Sequence, residues 1–190
     1  MAARNIPFIS VDEFLEAEEV SEARHICYDG VVTEMEGSSL EHAFLRANFC
    51  AELHQALRGR GFALAGGNLM LRTGSKRLFV YPDLMVFCGP VETMEGQPNV
   101  VTNPVFVAEV LSPETEGFDR GTVAREYRAT PSILQYALIW LERPLVEVYT
   151  RGEDGYWRIS EVSGLEAECE FSALQCSVPM AAMYEGVLES

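Results

Sequence analysis

Apolar and polar positions recur with two different periods along this chain, and the changes of period mark its elements. Over residues 10–19, Phe14 and Leu15 form the apolar side of an acidic stretch. Ser10 and Glu13 have the spacing of a capping box, so a short helix is expected there. Two strand-like pieces, His25–Tyr28 and residues 31–35, flank an Asp29-Gly30 pair suited to a tight hairpin turn. Ser38 or Ser39 then opens the longest helix, which runs to about residue 58. Its Leu40, Phe44, Leu45, Phe49, Leu53 and Leu57 recur mostly at three or four residues and are expected to face the core. Strand patterning takes over at Phe62–Ala65, 68–72 and 78–87. Pro82 interrupts the last of these, and a proline cannot donate to a sheet ladder, so a bulge, an edge or a strand break is expected. Residues 105–111 are almost continuously apolar and read as a central strand. A helix over 119–127 follows, then β segments at 133–141, 146–150 and 156–161. The tail from Ser172 carries apolar residues without a clear period. Strands outnumber helices and do not alternate with them regularly, which predicts an α+β (mixed α/β) fold rather than a repeated βαβ sheet.

The 190 residues suit one domain spanning 1–190 with a core of its own. No apolar run reaches the ~18 residues of a membrane helix, and the first residues lack the basic and apolar blocks of a signal peptide. A soluble, cytoplasmic protein is expected. Charge narrows the picture further: 14 Lys and Arg against 29 Asp and Glu give a net charge of −15. DNA affinity rests mainly on phosphate neutralisation, so nucleic acid could be met only at a local basic patch or through metal ions. Only one of the cations is a lysine, Lys76. The five cysteines form no CxxC pair and read as reduced, mostly buried thiols.

Two acids stand out against this pattern. Glu109 lies inside Val105-Phe106-Val107-Ala108-Glu109-Val110-Leu111, where a carboxylate costs several kcal/mol unless it is paired, protonated or bound to metal. Asp83 follows Pro82 within a second apolar segment, where the break lets its side chain leave the ladder. Each reads alone as an ion-paired or turn residue. Together, two acids on two apolar strands describe a site for a hard cation such as Mg²⁺, which takes few protein oxygens and completes its shell with water or phosphate. The histidines build no transition-metal site, since His42 and His54 are twelve residues apart, about 120° around a helix. No GxSxG, Walker or GxGxxG motif is present. Arg120, Arg125 and Arg128 form one basic cluster, suited either to phosphate or to Glu114, Glu116 and Glu126.

The order of these features resembles the PD-(D/E)xK nuclease superfamily and, within it, the large bacterial family of putative restriction endonucleases. FISVDEFL at the start resembles that family's opening helix, and YDGVVTEM its first hairpin. His42, Leu45 and Asn48 resemble its long-helix pattern, and Tyr81-Pro82-Asp83 its metal-binding segment. Glu109-Val110-Leu111-Ser112-Pro113-Glu114-Thr115 with Asp119-Arg120-Gly121 resembles its EVLSPST…DRG signature. Similarity continues through Tyr127-Arg128, Pro131-Ser132, Arg143-Pro144 and Val146-Glu147-Val148-Tyr149, covering roughly residues 8 to 187. The resemblance implies a restriction endonuclease-like core, a mixed central sheet flanked by helices. It implies that Asp83 and Glu109 bind Mg²⁺ or Mn²⁺, which activates a water for hydrolysis of a DNA phosphodiester, with His42 and Arg120 as neighbours of the site.

One departure bears on activity. The superfamily lysine would stand two residues after Glu109, where Leu111 is found, and the family's own lysine would fall at Thr122 or Val123. Lys76 and Arg125 are the replacement candidates. Lys76 reaches in only if its turn folds over the site, and Arg125 points about 200° from Val123 on a helix. Two readings follow: a metal-dependent endonuclease weakened by the lost lysine, or a catalytically degenerate descendant acting as a binding or regulatory module. A small-molecule binder fits the motifs poorly. A duplex is two-fold symmetric and suits a symmetric homodimer, and the apolar stretch at 178–187 would cover either a partner or the chain's own core.

Overall fold

The computed structural model describes residues 8–35, 37–113 and 115–188. Fourteen strands, β1 to β14, and five helices, α1 to α5, are found among them. Two six-stranded mixed sheets carry the fold. The first has the order β2 (Val31–Glu34), β1 (His25–Tyr28), β5 (Leu78–Val80), β4 (Met70–Arg72), β8 (Gln97–Val101), β7 (Thr93–Met94). The second has the order β12 (Trp157–Ser163), β11 (Leu145–Arg151), β10 (Gln135–Trp140), β9 (Phe106–Leu111), β6 (Leu84–Cys88), β3 (Phe62–Ala65). β13 (Glu168–Phe171) and β14 (Cys176–Pro179) form a separate hairpin.

The sheets stack face to face, and strand alternation sorts each side chain into a layer. Leu71, Leu78 and Val80 of the first sheet meet Met85, Phe87, Val107, Leu111 and Leu138 of the second. On the outer face of the first sheet, Phe14 and Leu15 of α1 (Val11–Glu19) pack on Cys27, Met70 and Phe79. On the outer face of the second, α2 (Leu40–Leu57) sets Leu45, Phe49, Leu53 and Leu57 on Val86, Phe106, Ala108 and Val110. The tail completes that layer. Val178 and Val187 bury there with Met180 and Met183 of α5 (Met180–Met183), so this stretch covers the chain's own core.

The helices follow local rules with two departures. Ser10 caps α1 as expected: its hydroxyl accepts from the Glu13 N–H, and Glu13 accepts from the Ser10 N–H at 2.8 Å. In α2, the core stripe is the strict i, i+4 series from Leu45 to Leu57, while Leu40 and Phe44 are exposed. Those two precede the stripe and sit off its face, since neighbouring residues on a helix are about 100° apart. The expected helix at 119–127 is interrupted: α3 (Glu116–Phe118) passes into a π-helical turn, Asp119–Val123, before α4 (Ala124–Ala129). One extra residue per turn rotates the side chains that follow, a device common at functional sites.

Pro82 marks more than a strand break. β5 belongs to the first sheet and β6 to the second, so the chain crosses between sheets at Tyr81-Pro82-Asp83. It also crosses from β3 to β4 through Gly66-Gly67, and from β8 to β9 through Asn103-Pro104. β7 and β8 went unread in the sequence because Glu92 to Asn99 is polar and carries a turn glycine, Gly96.

Candidate active site

The Pro82 crossing delivers Asp83 beside β9. β6 and β9 pair antiparallel with Leu84 opposite Ala108, and continuing this register sets Asp83 against Glu109. The two acids then bind each other's strands. The Asp83 N–H donates to Glu109 Oε2 at 3.1 Å, and the Val110 N–H donates to Asp83 Oδ2 at 2.8 Å. Glu109 faces between the sheets, in phase with Val107 and Leu111, while the Asp83 carboxylate lies at the end of β6 against the Val110 N–H.

Close chain packing holds this crossing in place. The Gly67 N–H donates to the Pro82 carbonyl at 3.0 Å, and a Cβ at Gly66 would lie 2.3 Å from the Asp83 carbonyl oxygen. Only glycine leaves room for that approach.

Three other elements turn polar groups toward the pair. From α2, His42 Nε2 lies 3.3 Å from Asp83 Oδ2, and Arg46, one turn later, brings Nη1 to 3.7 Å from Asp83 Oδ1. The other ring nitrogen, His42 Nδ1, is buried without a partner among the described residues. From α4, the fully buried Tyr127 donates its hydroxyl to Glu109 Oε1. From the π-helical turn comes Asp119, whose charge raises Glu109 and Tyr127 and which is itself raised by Asp83.

Burial and mutual repulsion shape the electrostatics. Burial pushes the Glu109 carboxyl well above its ordinary value, and the charges of Asp83 and Asp119 push it further, against the hydrogen bonds from Tyr127 and the Asp83 N–H. Asp119 is raised to about 6, by burial first and by Asp83, with the Thr115 hydrogen bond and His42 opposing. Tyr127 is raised too, by burial and by Glu109. The site therefore concentrates negative charge in poorly solvated surroundings.

A divalent hard cation fits that donor set in one specific sense. All the acids offer oxygen, and a cation would relieve the repulsion that raises Glu109 and Asp119. No preformed cage exists: among the described residues, no three His, Cys, Asp or Glu side chains are grouped to hold a metal ion. The geometry suits a hydrated ion touching few protein ligands.

The other sequence candidates lie elsewhere. Lys76 sits in the turn after β4 at φ 63° and lines a groove with Asp29, Gly30 and Arg77. Arg125 donates to the Tyr28 hydroxyl and is largely exposed. Arg120 leaves the acids for Glu147, with Nη1 2.8 Å from Oε1, and stacks over Trp140. Arg128 donates to the Tyr136 hydroxyl at 2.6 Å. The basic cluster thus serves carboxylates and tyrosines, although Glu114, one proposed partner, lies outside the described residues. Asp119, Tyr127 and Arg46 were not picked out from the sequence as site residues. Arg46 was findable as the i+4 neighbour of His42, and Asp119 as an acid in the DRG motif. Nothing local marks Tyr127 as a partner for Glu109.

Comparison with known proteins agrees with this architecture. Residues 11–180 match the model of the Uma2 family, described as "Putative restriction endonuclease". Two Synechocystis proteins are similar over nearly full length: uncharacterized protein slr1290, 27% identical over 95% of this chain and 94% of its own, and uncharacterized protein sll1609, 28% identical over 92% and 99%. The fold resembles the crystal structure of a putative nuclease belonging to DUF820 from Anabaena variabilis. The TM-score is 0.76 at 15% identity, over 95% of this chain and 99% of that one.

Proposed function

The chain belongs to the Uma2 putative restriction endonuclease family, and from that premise we propose that it is a metal-dependent endonuclease hydrolysing DNA phosphodiester bonds at Asp83 and Glu109. One observation supports this above the rest: Asp83, where the chain changes sheets, and Glu109 of β9 sit side by side, Glu109 accepting from the Asp83 N–H and Asp83 from the Val110 N–H. Mg²⁺ or Mn²⁺ held by Asp83 and Glu109 would supply Lewis acidity, making a water more acidic and offsetting charge on the phosphoryl oxygens.

The chain's own residues have separable tasks. Tyr127 and the Asp83 N–H fix the two oxygens of Glu109, and the Val110 N–H and His42 orient Asp83. Asp119, raised to about 6 by burial and by the Asp83 charge, adds negative charge that would favour a cation beside the pair. Supercoiled plasmid incubated with Mg²⁺ or Mn²⁺ tests the proposal: wild type nicks or linearises it and Asp83→Ala does not. Equal activity of the two proteins, or none in either, overturns it.

A degenerate binding module is the second reading, and Val123 favours it. This side chain is wholly buried, one turn before Tyr127 on the same helix face, where the family resemblance calls for a lysine. Val123→Lys would return a cation to the Glu109 side of the site. Cleavage about tenfold above wild type is expected from a weakened enzyme; a chain evolved only to bind gains nothing.

A further inference from the structure

We propose that Arg46 is the working cation of this site and contacts a non-bridging oxygen of the scissile phosphate. The inference rests on the nuclease reading and names the residue that stands in for the missing lysine. Among the described residues, Arg46 is the one Lys or Arg within ion-pair distance of Asp83, Glu109 or Asp119. Lys76, Arg125 and Arg120 are committed to the groove at Asp29, to Tyr28 and to Glu147.

Placement and chemistry both suit the task. His42 and Arg46 are one helical turn apart on α2, so one helix face presents both to Asp83. Gly67 also closes on the guanidinium: a Cβ there, where φ is 63°, would lie 3.0 Å from Arg46 Nη1. Its contact with Asp83 is loose at 3.7 Å, and its side chain is 39% exposed. Donors are therefore left facing solvent, free to meet a phosphate oxygen. A guanidinium stays charged at any working pH and matches the geometry of phosphate oxygens. Arg46 moves no proton in the reaction; it offsets charge that grows on the phosphate as the new P–O bond forms. Arg46 approaches from α2, on the Asp83 side of the acid pair, so helix α2 supplies a cation that Val123 cannot.

Two measurements on full-length protein test this. In Mn²⁺-dependent plasmid cleavage, Arg46→Ala is expected to lose about 10²-fold or more in kcat, with a smaller change in KM, and Arg46→Lys to recover part of the loss. An Arg46→Ala rate within threefold of wild type overturns the proposal, as does a comparable loss in Lys76→Ala or Arg125→Ala with Arg46→Ala unaffected. The second measurement is metal-free binding of a fluorescent DNA duplex across a salt series. Loss of one phosphate contact should reduce the salt slope by about one in Arg46→Ala. This reading separates the two claims. If wild type binds but never cleaves, the nuclease assignment fails while a reduced slope still upholds Arg46 as a phosphate contact. An unchanged slope, or no DNA binding by wild type, overturns the Arg46 proposal.

Discussion

Two buried glutamates lie on the same face of the second sheet, and their surroundings are opposite. In register, Glu109 stands opposite Leu138, and Leu138 stands opposite Glu147, so the two acids are separated by a single strand. Both are nearly inaccessible, at 7% and 4% exposure. Glu147 meets a guanidinium, Arg120 Nη1 at 2.8 Å, and accepts from the Tyr149 hydroxyl at 2.9 Å. Glu109 also accepts from a tyrosine, Tyr127, but its nearest charged neighbours are acids, and its carboxyl is pushed well above the ordinary range. A buried carboxylate with a cation and a tyrosine is a finished structural ion pair. One with a tyrosine and two more acids keeps a charge deficit that something from solution can fill. The difference arises in the π-helical turn, which presents adjacent Asp119 and Arg120 to different acids.

Conservative neutralisation separates the two sites most widely. Glu109→Gln is expected to abolish plasmid cleavage, by at least ~10³-fold, without lowering the urea midpoint, because it removes a poorly compensated buried charge. Glu147→Gln should leave cleavage within a few-fold and lower the midpoint. A reversal of these two patterns would break the comparison.

The pH dependence of stability follows from Asp119. Its folded-state pKa of about 6 lies above its unfolded value near 3.8. Between pH ~4 and ~6 the native state holds a proton that the unfolded chain has released. Stability from this group is thus full below pH 4, falls as pH rises, and is lost above pH 6. The two pKa values bound the effect at roughly 3 kcal/mol. Asp119→Asn should lessen the fall in urea-derived stability over that window, leaving the part due to Glu109, whose carboxyl is also raised; an unchanged profile would remove Asp119 from the charge cluster.

Arg120→Ala probes the finished pair. It strands Glu147 without its cation, which costs ~3–5 kcal/mol for a fully buried pair. Arg120 itself is partly exposed, so screening reduces the expected loss to about 2 kcal/mol, read by urea denaturation. Cleavage should change little. A selective loss of cleavage would join Arg120 to the acid site instead.

Much of this contrast begins in local sequence. Glu109 was visible as an acid inside an apolar run and Asp83 as an acid freed by a proline, and the Ser10–Glu13 cap and the β1–β2 hairpin formed where their residue types predict. Glu147 gave no comparable signal, since Val146-Glu147-Val148 alternates like any half-exposed strand, although the second face is in fact covered. Leu40 and Phe44 looked like core residues because helical spacing alone does not say where a core stripe begins.

What the sequence determined by itself was the class of fold, the order of the strands and helices apart from β7, β8 and the β13–β14 tail, and the two acids whose burial demands compensation; these depend on neighbours within a few positions. What only tertiary structure decided was the partnership of each charge. That Pro82 carries the chain from one sheet to the other, that Arg120 turns to Glu147 and Arg125 to Tyr28, and that Arg46 reaches Asp83 all depend on elements far apart in the chain meeting in space. Local propensity carries no record of such meetings. The energy of a buried charge is set by the groups a few ångströms away, and in this protein those groups come from α2, the π-helical turn and α4, brought together by the stacking of two sheets.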